Sequence, residues 1–524
     1  MKLSALRNDL ARRFICWGMR QLGPYAHRKA MHAVANFRTE QDRLQKLYGI
    51  EATTPCATYN EEMRQRIAAL PNVEWVKTSG STREPKIIAF DTERLTGVKK
   101  SFAGVTLRSA AAIKAQRPII FTLASLADDE SFTAIMTNKP PSQFDLWVTP
   151  HRALAIPALR SLTSQYSVHA LRVWGLVLSN PGWLYSTNPS TQAGFFHALS
   201  AEWELHTQLL RDFVEKPSSF SASIHAIAKQ IVSSGWRARA QRVLTSTSAL
   251  APTDWLELEA YCSWDGGNTA PFLRQLEGYL PSVDFIPMFS MSTETLETLT
   301  IYQEGQPAFL TIAPGVYYEF LPEGSEDKPE QLIAAWELQA GRRYVMVVSD
   351  PYGLRRYVTE DVFLCKELVQ GVPDLRFLYR RGLTWSYTGE KLTGEQLGEV
   401  YSELTRAFGA LATAQLTTAP THPEGQRLPG YTLLMATPGR VNTQISLDTE
   451  EIAKRFDSLL GEINDEYASK RNSQRLHPPS ARWIEFDTLA ARLRGENSDT
   501  QNREWDSQFK LLPLLRKTLE ELRL

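Results

Sequence analysis

Short apolar runs alternate with longer helical patterns from about residue 70 onwards. The runs are typical of strands because they are short and apolar, whereas the segments between them repeat apolar residues at helical spacing. The predicted strands are 86–90, 118–124, 171–178, 283–287, 308–312 and 344–349, and the predicted helices between them include 92–114 and 192–212. Alternating strands and helices predict a layered α/β domain.

The C-terminal part of the chain carries a different pattern. Residues 417–430 are rich in Pro, Gly and Thr, a composition typical of a surface loop. Residues 431–436 then predict a strand, and residues 450–470 predict a helix. The sequence therefore predicts further α and β elements beyond a surface loop.

Charge and cysteine content exclude several classes of protein. The 524 residues carry 58 Lys and Arg and 58 Asp and Glu, so the formal net charge is zero. A nucleic-acid-binding chain usually has a basic excess, and no apolar run here is long enough for a transmembrane helix. The four cysteines are scattered, with no zinc-binding spacing, which fits a reducing compartment. We therefore expect a cytoplasmic enzyme with no nucleic-acid partner and no stable membrane insertion.

The first 46 residues are basic, with ten Lys and Arg against three acids. Leu6, Leu10, Phe14 and Trp17 recur at helical spacing and predict an amphipathic helix. Such a helix either binds a membrane surface or a partner, or packs on its own domain with a basic face in water. The second interpretation is favoured, because most amphipathic helices are structural.

Residues 78–86 (TSGSTREPK) place hydroxyl groups on both sides of a glycine and end in a lysine. Gly80 lets backbone N–H groups turn toward an anion without a Cβ in the way, and Lys86 adds a positive charge. The hydroxyl side chains belong to Thr78, Ser79, Ser81 and Thr82. The pattern predicts a phosphate-binding loop, and a Ser- and Thr-rich turn without a ligand is the alternative.

This segment resembles the signature loop of the adenylate-forming superfamily, which includes acyl- and aryl-CoA ligases, luciferases and the adenylation domains of peptide synthetases. Arg83 stands where that loop usually has its second glycine. Further along, Gly266, Gly267 and Asn268 resemble the superfamily's glycine pair beside the adenine. A paired glycine lets the backbone approach a planar ring closely.

Two later segments continue the resemblance in the superfamily's order. Phe289 and residues 290–294 (SMSTE) resemble the aromatic-x-x-Thr-Glu motif, in which Glu binds Mg²⁺ and Thr faces the α-phosphate. Residues 357–361 (YVTED) resemble the Tyr-x-Thr-Gly-Asp motif, whose Asp binds the ribose hydroxyls. Glu360 replaces the usual glycine of that motif.

The finer resemblance is to the acyl acid–amido synthetases of the auxin-responsive promoter family. Residues 336–361 are similar to that family's longest motif, and residues 376–381 and 389–392 resemble its hinge segment. Residues 463–471 resemble one of its C-terminal helices, and residues 508–513 (QFKLLP) resemble its ending. The resemblance covers roughly residues 35–515.

The resemblance implies a fold and a reaction. It implies a large N-terminal adenylate-forming α/β domain over residues 1–385 and a small mobile C-terminal α+β domain over residues 386–524. The implied enzyme uses ATP and Mg²⁺ to convert a carboxylic acid to an acyl-adenylate and pyrophosphate. An amine, usually an amino acid, then displaces AMP to form an amide.

The resemblance also implies roles for particular residues. Glu294 would hold Mg²⁺, Thr293 would contact the α-phosphate, and Lys510 would swing in with the C-terminal domain to meet the α-phosphate and the carboxylate. Domain rotation about Lys391 or its neighbours would separate the two half-reactions. The implied nucleotide-binding residues are Thr78, Ser79, Gly80, Ser81, Thr82, Lys86, Gly266, Gly267, Asn268, Phe289, Ser292, Tyr357, Asp361, Arg380 and Lys391.

Two other functions stay open at this point. In one, the acyl group passes to a thiol of coenzyme A or of a carrier protein, which needs the same first half-reaction. In the other, the chain is a nucleotide-binding pseudoenzyme or scaffold, an interpretation based on the departures of Arg83 and Glu360 from the usual motifs. An amide-forming enzyme is favoured by the motif at 336–361 and by the presence of Lys86, Glu294, Asp361 and Lys510.

Overall fold

The computed structural model describes residues 1–59, 61–69, 74–77, 87–90, 92–123, 140–267, 269–381, 392–421, 429–436 and 447–484. Internal contacts divide the chain into two compact units. The first comprises Met1–Thr187, Trp203–Trp264 and Ser282–Phe377, and the second comprises Asn188–Glu202, Asp265–Pro281 and Leu378–Leu524. The domain boundary near residue 385 stays a prediction.

The α-helices are distributed over both units. They are α1 (Lys2–Ala35), α2 (Phe37–Leu47), α3 (Glu61–Ala68), α4 (Thr92–Ala112), α5 (Gln143–Val148), α6 (Pro157–Arg160), α7 (Val168–Ser179), α8 (Pro189–Ala201), α9 (Trp203–Glu215), α10 (Ala222–Ile231), α11 (Trp236–Thr245), α12 (Pro252–Trp255), α13 (Ala270–Tyr279), α14 (Gly394–Ala407), α15 (Thr449–Ile463) and α16 (Asp465–Asn472). Short 3₁₀ segments are Pro150–Ala155, Ser161–Ser164, Pro217–Ser219, Pro329–Gln331, Ala335–Glu337 and Gly409–Thr413. No helix in the described part of the chain is long and apolar enough to cross a membrane.

The strands form several sheets. They are β1 (Glu74–Lys77), β2 (Ile87–Phe90), β3 (Ile120–Thr122), β4 (Trp183–Tyr185), β5 (Ala260–Ser263), β6 (Asp284–Pro287), β7 (Leu299–Gln303), β8 (Gln306–Leu310), β9 (Tyr317–Pro322), β10 (Ile333–Ala334), β11 (Arg343–Ser349), β12 (Tyr357–Val369), β13 (Val372–Arg380), β14 (Gln415–Thr421), β15 (Gly430–Ala436) and β16 (Ser480–Trp483). Among the described residues, their orders are β1-β2, β3-β4-β5-β6, β10-β9-β11-β12-β13-β8-β7 and β14-β15-β16.

The sheet β3-β4-β5-β6 is parallel throughout. The carboxyl ends of its strands therefore lie at one edge, which is where open α/β sheets bind ligands. The larger sheet, β10 to β7, is antiparallel in its recorded pairings, and its buried face contributes Tyr318, Met346 and Phe363 to the main apolar core. The fold is thus a mixed α/β architecture, as the sequence predicts.

One predicted strand is wrong. Residues 171–178, a continuous apolar run, belong to helix α7. Ser167 caps its first turn by accepting a hydrogen bond from the N–H of Ala170, and Asn180 ends it in the left-handed conformation with φ of 47°. Because every residue from 169 to 179 is buried, the helix has no polar face that would reveal helical periodicity.

Three other elements differ from their predictions. The helix predicted over 192–212 is two helices, α8 and α9, and the helix predicted over 450–470 is α15 followed by α16. Asn464 begins α16 by accepting a hydrogen bond from the N–H of Tyr467 at 2.7 Å. The predicted loop at 417–430 is wrong over 417–421, which lies in β14. Pro420 is compatible with β14 because that strand is at the edge of its sheet.

Helix α1 packs on its own unit, but not by the face expected. Its buried residues are Ala5, Asn8, Arg12, Cys16, Gly23, Ala26, Ala30 and Val34. Leu6, Leu10, Phe14 and Trp17, which were predicted to form the packing face, are 52% to 71% exposed. The packing face is instead lined by small side chains and by polar groups that bond to backbone carbonyls.

A buried ion pair joins β9 to the residue before β12. The guanidinium of Arg356 donates Nε to Oε2 of Glu319 at 2.9 Å and Nη2 to Oε1 at 2.8 Å, and the two side chains are only 5% and 8% exposed. Its Nη1 also donates to the carbonyl oxygen of Thr54 at 2.6 Å. This guanidinium therefore fixes the start of β12 to the sheet and to the N-terminal segment.

Candidate active site

The Thr-Glu segment, residues 288–294, continues directly from the carboxyl end of β6. Its backbone is folded back on itself: the N–H of Ser290 donates to Oγ1 of Thr298 at 2.9 Å, and the N–H of Ser292 donates to the carbonyl oxygen of Thr295 at 3.0 Å. This reversal leaves Glu294 only 4% exposed. The segment is thus held rigidly at the edge where such sheets bind ligands.

Two of the predicted motifs meet at Glu294. The hydroxyl of Tyr357, the first residue of β12, donates to Oε1 of Glu294 at 3.3 Å. On the other side, the guanidinium of Arg94 in α4 donates to the backbone carbonyl of Glu294. Tyr357 and Arg94 therefore both bond to Glu294, although they lie 63 and 200 positions away from it in the chain.

Strand β12 bulges at the Tyr-x-Thr-Gly-Asp-like motif. Val345 pairs with Val362, whereas Val347 pairs with Val358, so extra residues of β12 are accommodated between the two pairs. Thr359 stabilises the bulge by donating Oγ1 to the carbonyl oxygen of Met346 at 2.9 Å. Bulges often redirect side chains beside active sites, and this one sets the position of the buried Asp361.

Glu360 adopts a left-handed backbone in this bulge, with φ of 69°. The family motif has glycine at this position, and glycine tolerates such a backbone because it has no Cβ. We therefore expect Glu360→Gly to raise the free energy of unfolding by about 1 kcal/mol, as measured by urea denaturation. Glu367→Gly, in the same strand but without a positive φ, should lower it by about 1 kcal/mol. Equal losses in both variants would contradict this account.

A pocket of about 630 Å³ lies within the first unit, beside the Thr-Glu segment. Its size is typical of small-molecule sites. Its walls include the first turns of α4, the predicted site residues Ser292 and Thr293, the turn at Gly315, and the turn from Asp350 to Tyr352. The charged residues that line it are Glu93, Arg94, Lys100 and Asp350.

Arg94 is held in the pocket wall by aromatic rings. Its guanidinium carbon lies 4.1 Å from the centroid of the Phe90 ring and 5.2 Å from that of Tyr352. Stacking on two rings, together with the bond to the Glu294 carbonyl, fixes the direction of the guanidinium. The wall thus carries a preorganised positive charge that is suited to a carboxylate or a phosphate.

Asp350 organises the turn from Asp350 to Tyr352 in the pocket wall. Its Oδ1 accepts hydrogen bonds from the N–H groups of Tyr352 at 3.0 Å and Leu354 at 2.9 Å. Burial raises the pKa of the Asp350 carboxyl, while the charge of Arg94 and the two N–H donors oppose that rise. The ionised carboxylate is therefore destabilised by burial at neutral pH.

This pKa shift predicts a pH-dependent effect of Asp350→Asn, since asparagine keeps an acceptor oxygen but carries no charge. A raised pKa in the folded state favours folding at low pH, and this contribution is lost as pH rises through that pKa. We expect Asp350→Asn to be as stable as the parent, or more stable, at pH 7, and to lose that advantage below about pH 4. Thermal unfolding across pH measures this difference, and a constant offset at all pH values would contradict it.

The remaining predicted site residues add less to the geometry of this site. Phe289 is 2% exposed and packs edge-on against Phe102 with ring centroids 5.0 Å apart, which favours a packing role. Gly266, Gly267 and Arg380 belong to the second unit, where Gly267 has φ of 63° and Arg380 ends β13. Thr78, Ser79, Gly80, Ser81, Thr82, Lys86, Asn268, Lys391 and Lys510 lie outside the described residues.

Sequence reasoning predicted Ser292 and Thr293 but missed Arg94 and Asp350, two charged residues of the pocket walls. Arg94 sits in the first turn of a helix that carries no motif, so nothing in the sequence distinguishes it from a surface arginine. Asp350 had a usable signal, because Asp-Pro-Tyr-Gly at 350–353 is typical of a turn in which the Asp side chain bonds its own backbone.

Solved structures resemble this fold over almost the whole chain. The acyl acid amido synthetase GH3.15 in complex with 2,4-DB matches with a TM-score of 0.71 and 14% identity, covering 98% of this chain and 96% of the other. A 2-hydroxyisobutyryl-CoA ligase in complex with 2-HIB-AMP matches with a TM-score of 0.52 and 12% identity, covering 98% of this chain and 91% of the other. The fold is that of the adenylate-forming enzymes.

Sequence comparison identifies the family. Residues 62–285 match the GH3 family N-terminal domain and residues 309–380 match the GH3 family central domain, together more than half of the chain. The chain belongs to the GH3 family. Relatives include a jasmonoyl–L-amino acid synthetase of Nicotiana attenuata, 26% identical over 33% of each chain, and an indole-3-acetic acid-amido synthetase of Arabidopsis thaliana, 24% identical over 46% of each chain. The matches thus span a third to a half of these relatives' lengths.

Proposed function

We propose that this chain is an ATP-dependent ligase that adenylates a carboxylic acid and transfers the acyl group to an amine, most simply an amino acid. The observation that carries the proposal is the hydrogen bond from Tyr357 to Glu294, which joins two adenylation motifs beside a pocket containing Arg94. The GH3 relatives named as amido synthetases support the amine as acceptor.

In the first half-reaction, a carboxylate oxygen attacks the α-phosphorus of ATP. An O–P bond forms to give the acyl-adenylate, and the bond to the leaving pyrophosphate breaks. This step depends on alignment and on neutralising phosphate charge more than on proton transfer. Arg94 and Lys100 line the pocket and supply positive charge for the acid or the phosphates, while Asp361 is proposed to bind the ribose hydroxyls.

The chemistry of Glu294 fits the Mg²⁺ ion proposed for this reaction. Among the described residues, no group of three or more His, Cys, Asp and Glu side chains is arranged to enclose a metal. Mg²⁺ is commonly bound by one or two carboxylates together with substrate phosphates and water, so one buried glutamate suffices. When bound there with ATP, Mg²⁺ supplies charge neutralisation on the phosphate oxygens. Tyr357 orients the Glu294 carboxylate by its hydrogen bond.

In the second half-reaction, the amine nitrogen attacks the acyl carbon and AMP leaves. The nitrogen loses a proton in forming the amide, so a base or water must accept it. Lys510 and Lys391 keep their proposed roles at the α-phosphate and in the hinge.

Acid-dependent pyrophosphate release with ATP and Mg²⁺ tests the first half-reaction. We would screen aryl, indolyl and fatty acids, then add amino acids and identify products by mass. Asp361→Asn should abolish release, whereas Asp374→Asn, another buried carboxylate of the same sheet, should retain it.

The outcomes separate the competing functions. An amide product supports the proposal. A product formed only with coenzyme A or a carrier-protein thiol would replace the amine as acceptor. Absence of ATP binding by calorimetry would overturn catalysis and favour a scaffold.

A further inference from the structure

One face of α1 presents large apolar side chains to solvent. Leu3, Leu6, Leu10, Phe14 and Trp17, here called the apolar stripe, are 52% to 85% exposed. At about 100° per residue they lie within one sector of about 80° on the helix surface. The rings of Phe14 and Trp17 contact each other, with centroids 5.9 Å apart. The apolar stripe is therefore a continuous surface.

The opposite face of α1 is firmly attached to the first unit. Arg12 donates to the carbonyl oxygen of Ser179 at 3.1 Å and to that of Ile231 at 2.8 Å, the last residues of α7 and α10. Asn8 donates to the carbonyl oxygen of Val232 at 2.9 Å. Because these bonds fix the rotation of the helix, the apolar stripe faces outward in the folded protein.

Positive charge borders the apolar stripe on both sides. By helical position, Arg7 lies along one edge, and Lys2 and Arg13 lie along the other, and all three are exposed. Residues 2–21 contain one acid, Asp9, whose carboxylate accepts a hydrogen bond from the N–H of Ser234 at 2.9 Å. The exposed face of this part of α1 is therefore apolar at its centre and basic at its edges.

We propose that the apolar stripe binds the surface of an anionic lipid bilayer, with α1 lying in the plane of the interface. Leu, Phe and Trp side chains can enter the boundary between headgroups and acyl chains, while flanking Lys and Arg reach anionic headgroups. A second copy of the chain fits less well, because two stripes placed face to face would bring their basic edges together. This proposal is independent of the proposed ligase activity.

Co-sedimentation of the full chain with vesicles tests the proposal. Vesicles of equal parts phosphatidylglycerol and phosphatidylcholine should bind the protein, binding should weaken as salt rises, and pure phosphatidylcholine should bind it less. Leu10→Asp with Phe14→Asp should lower partitioning about a hundredfold. Arg7→Gln with Arg13→Gln should lower it about twentyfold.

Matched controls lie elsewhere on the surface. Leu47→Asp with Leu205→Asp replaces leucines that are 61% and 52% exposed but lie outside α1. Arg237→Gln with Lys454→Gln removes two exposed charges on other helices. Both controls should change partitioning by less than about twofold. Circular dichroism checks that every variant stays folded.

Two results would overturn the proposal. One is equal binding, or equal loss of binding, in the apolar-stripe variants and their controls. The other combines two observations. The parent protein binds no vesicles, and Leu10→Asp with Phe14→Asp has a lower molecular mass than the parent protein by light scattering. That result would make the apolar stripe an interface between copies of this chain.

Discussion

Glu294→Gln is expected to lower acid-dependent pyrophosphate release about a thousandfold at saturating ATP and Mg²⁺. Glutamine keeps the oxygen that accepts the hydrogen bond from the Tyr357 hydroxyl, so the local fold is preserved while the negative charge is lost. Removing one preorganised charge from a buried site commonly costs a factor of a hundred to a thousand. The loss should appear mainly in kcat, because the interaction is strongest where charge develops.

Glu297→Gln is the matched control for this prediction. Glu297 lies three residues further along, is 2% exposed, and accepts a hydrogen bond from the hydroxyl of Ser290. It lies outside the two motifs that meet at Glu294, so its neutralisation should change pyrophosphate release by less than about tenfold. Similar losses in the two variants would show that the segment is sensitive to any neutralised glutamate, and would remove the special role of Glu294.

Arg356→Met is expected to lower the free energy of unfolding of the first unit by about 3–5 kcal/mol. The substitution leaves the Glu319 carboxylate buried without the guanidinium that now donates to both of its oxygens. It also removes the donor to the carbonyl oxygen of Thr54. Chemical denaturation followed by circular dichroism measures the loss.

A second substitution distinguishes an unpaired charge from a packing defect. Arg356→Met combined with Glu319→Leu should recover most of the lost stability, because an apolar pair of similar volume leaves no buried charge. Arg43→Ala, which breaks the exposed pair with Glu40, should leave the denaturation midpoint almost unchanged. A double variant as unstable as Arg356→Met would show that the cost comes from packing.

Local patterns predicted those elements whose signals are local. Strands β2, β6, β11 and β15 and helix α4 follow directly from short apolar runs and helical spacing. The order of the adenylation motifs predicted the family and the fold without any distance information. The approach failed at α7, where complete burial removes the polar positions that distinguish a helix from a strand.

The geometry of the candidate site could not be predicted, because it depends on long-range contacts. Arg94 meets the Glu294 carbonyl across 200 residues, and neither neighbourhood contains a signal for the other. The conformation of Glu360 could be predicted only in part. The sequence shows that it replaces a glycine, but only the structure shows that the backbone keeps the left-handed conformation there. Likewise, the spacing of Leu6 and Phe14 identified a helix but not which face it buries.

The anchoring of α1 by Arg12 has a consequence for synthesis on the ribosome. Its acceptors at Ser179 and Ile231 are translated 167 and 219 residues later. At roughly 5–20 residues per second, Arg12 waits on the order of ten to forty seconds for these acceptors. Until residue 231 is made it lacks at least one of them, although the part of α1 around Gly23 can already pack on α4. Helix α1 is made early in its unit but is among the last parts of that unit to be fully secured, so it stays open to chaperones and misassociation while the rest of the unit is synthesised.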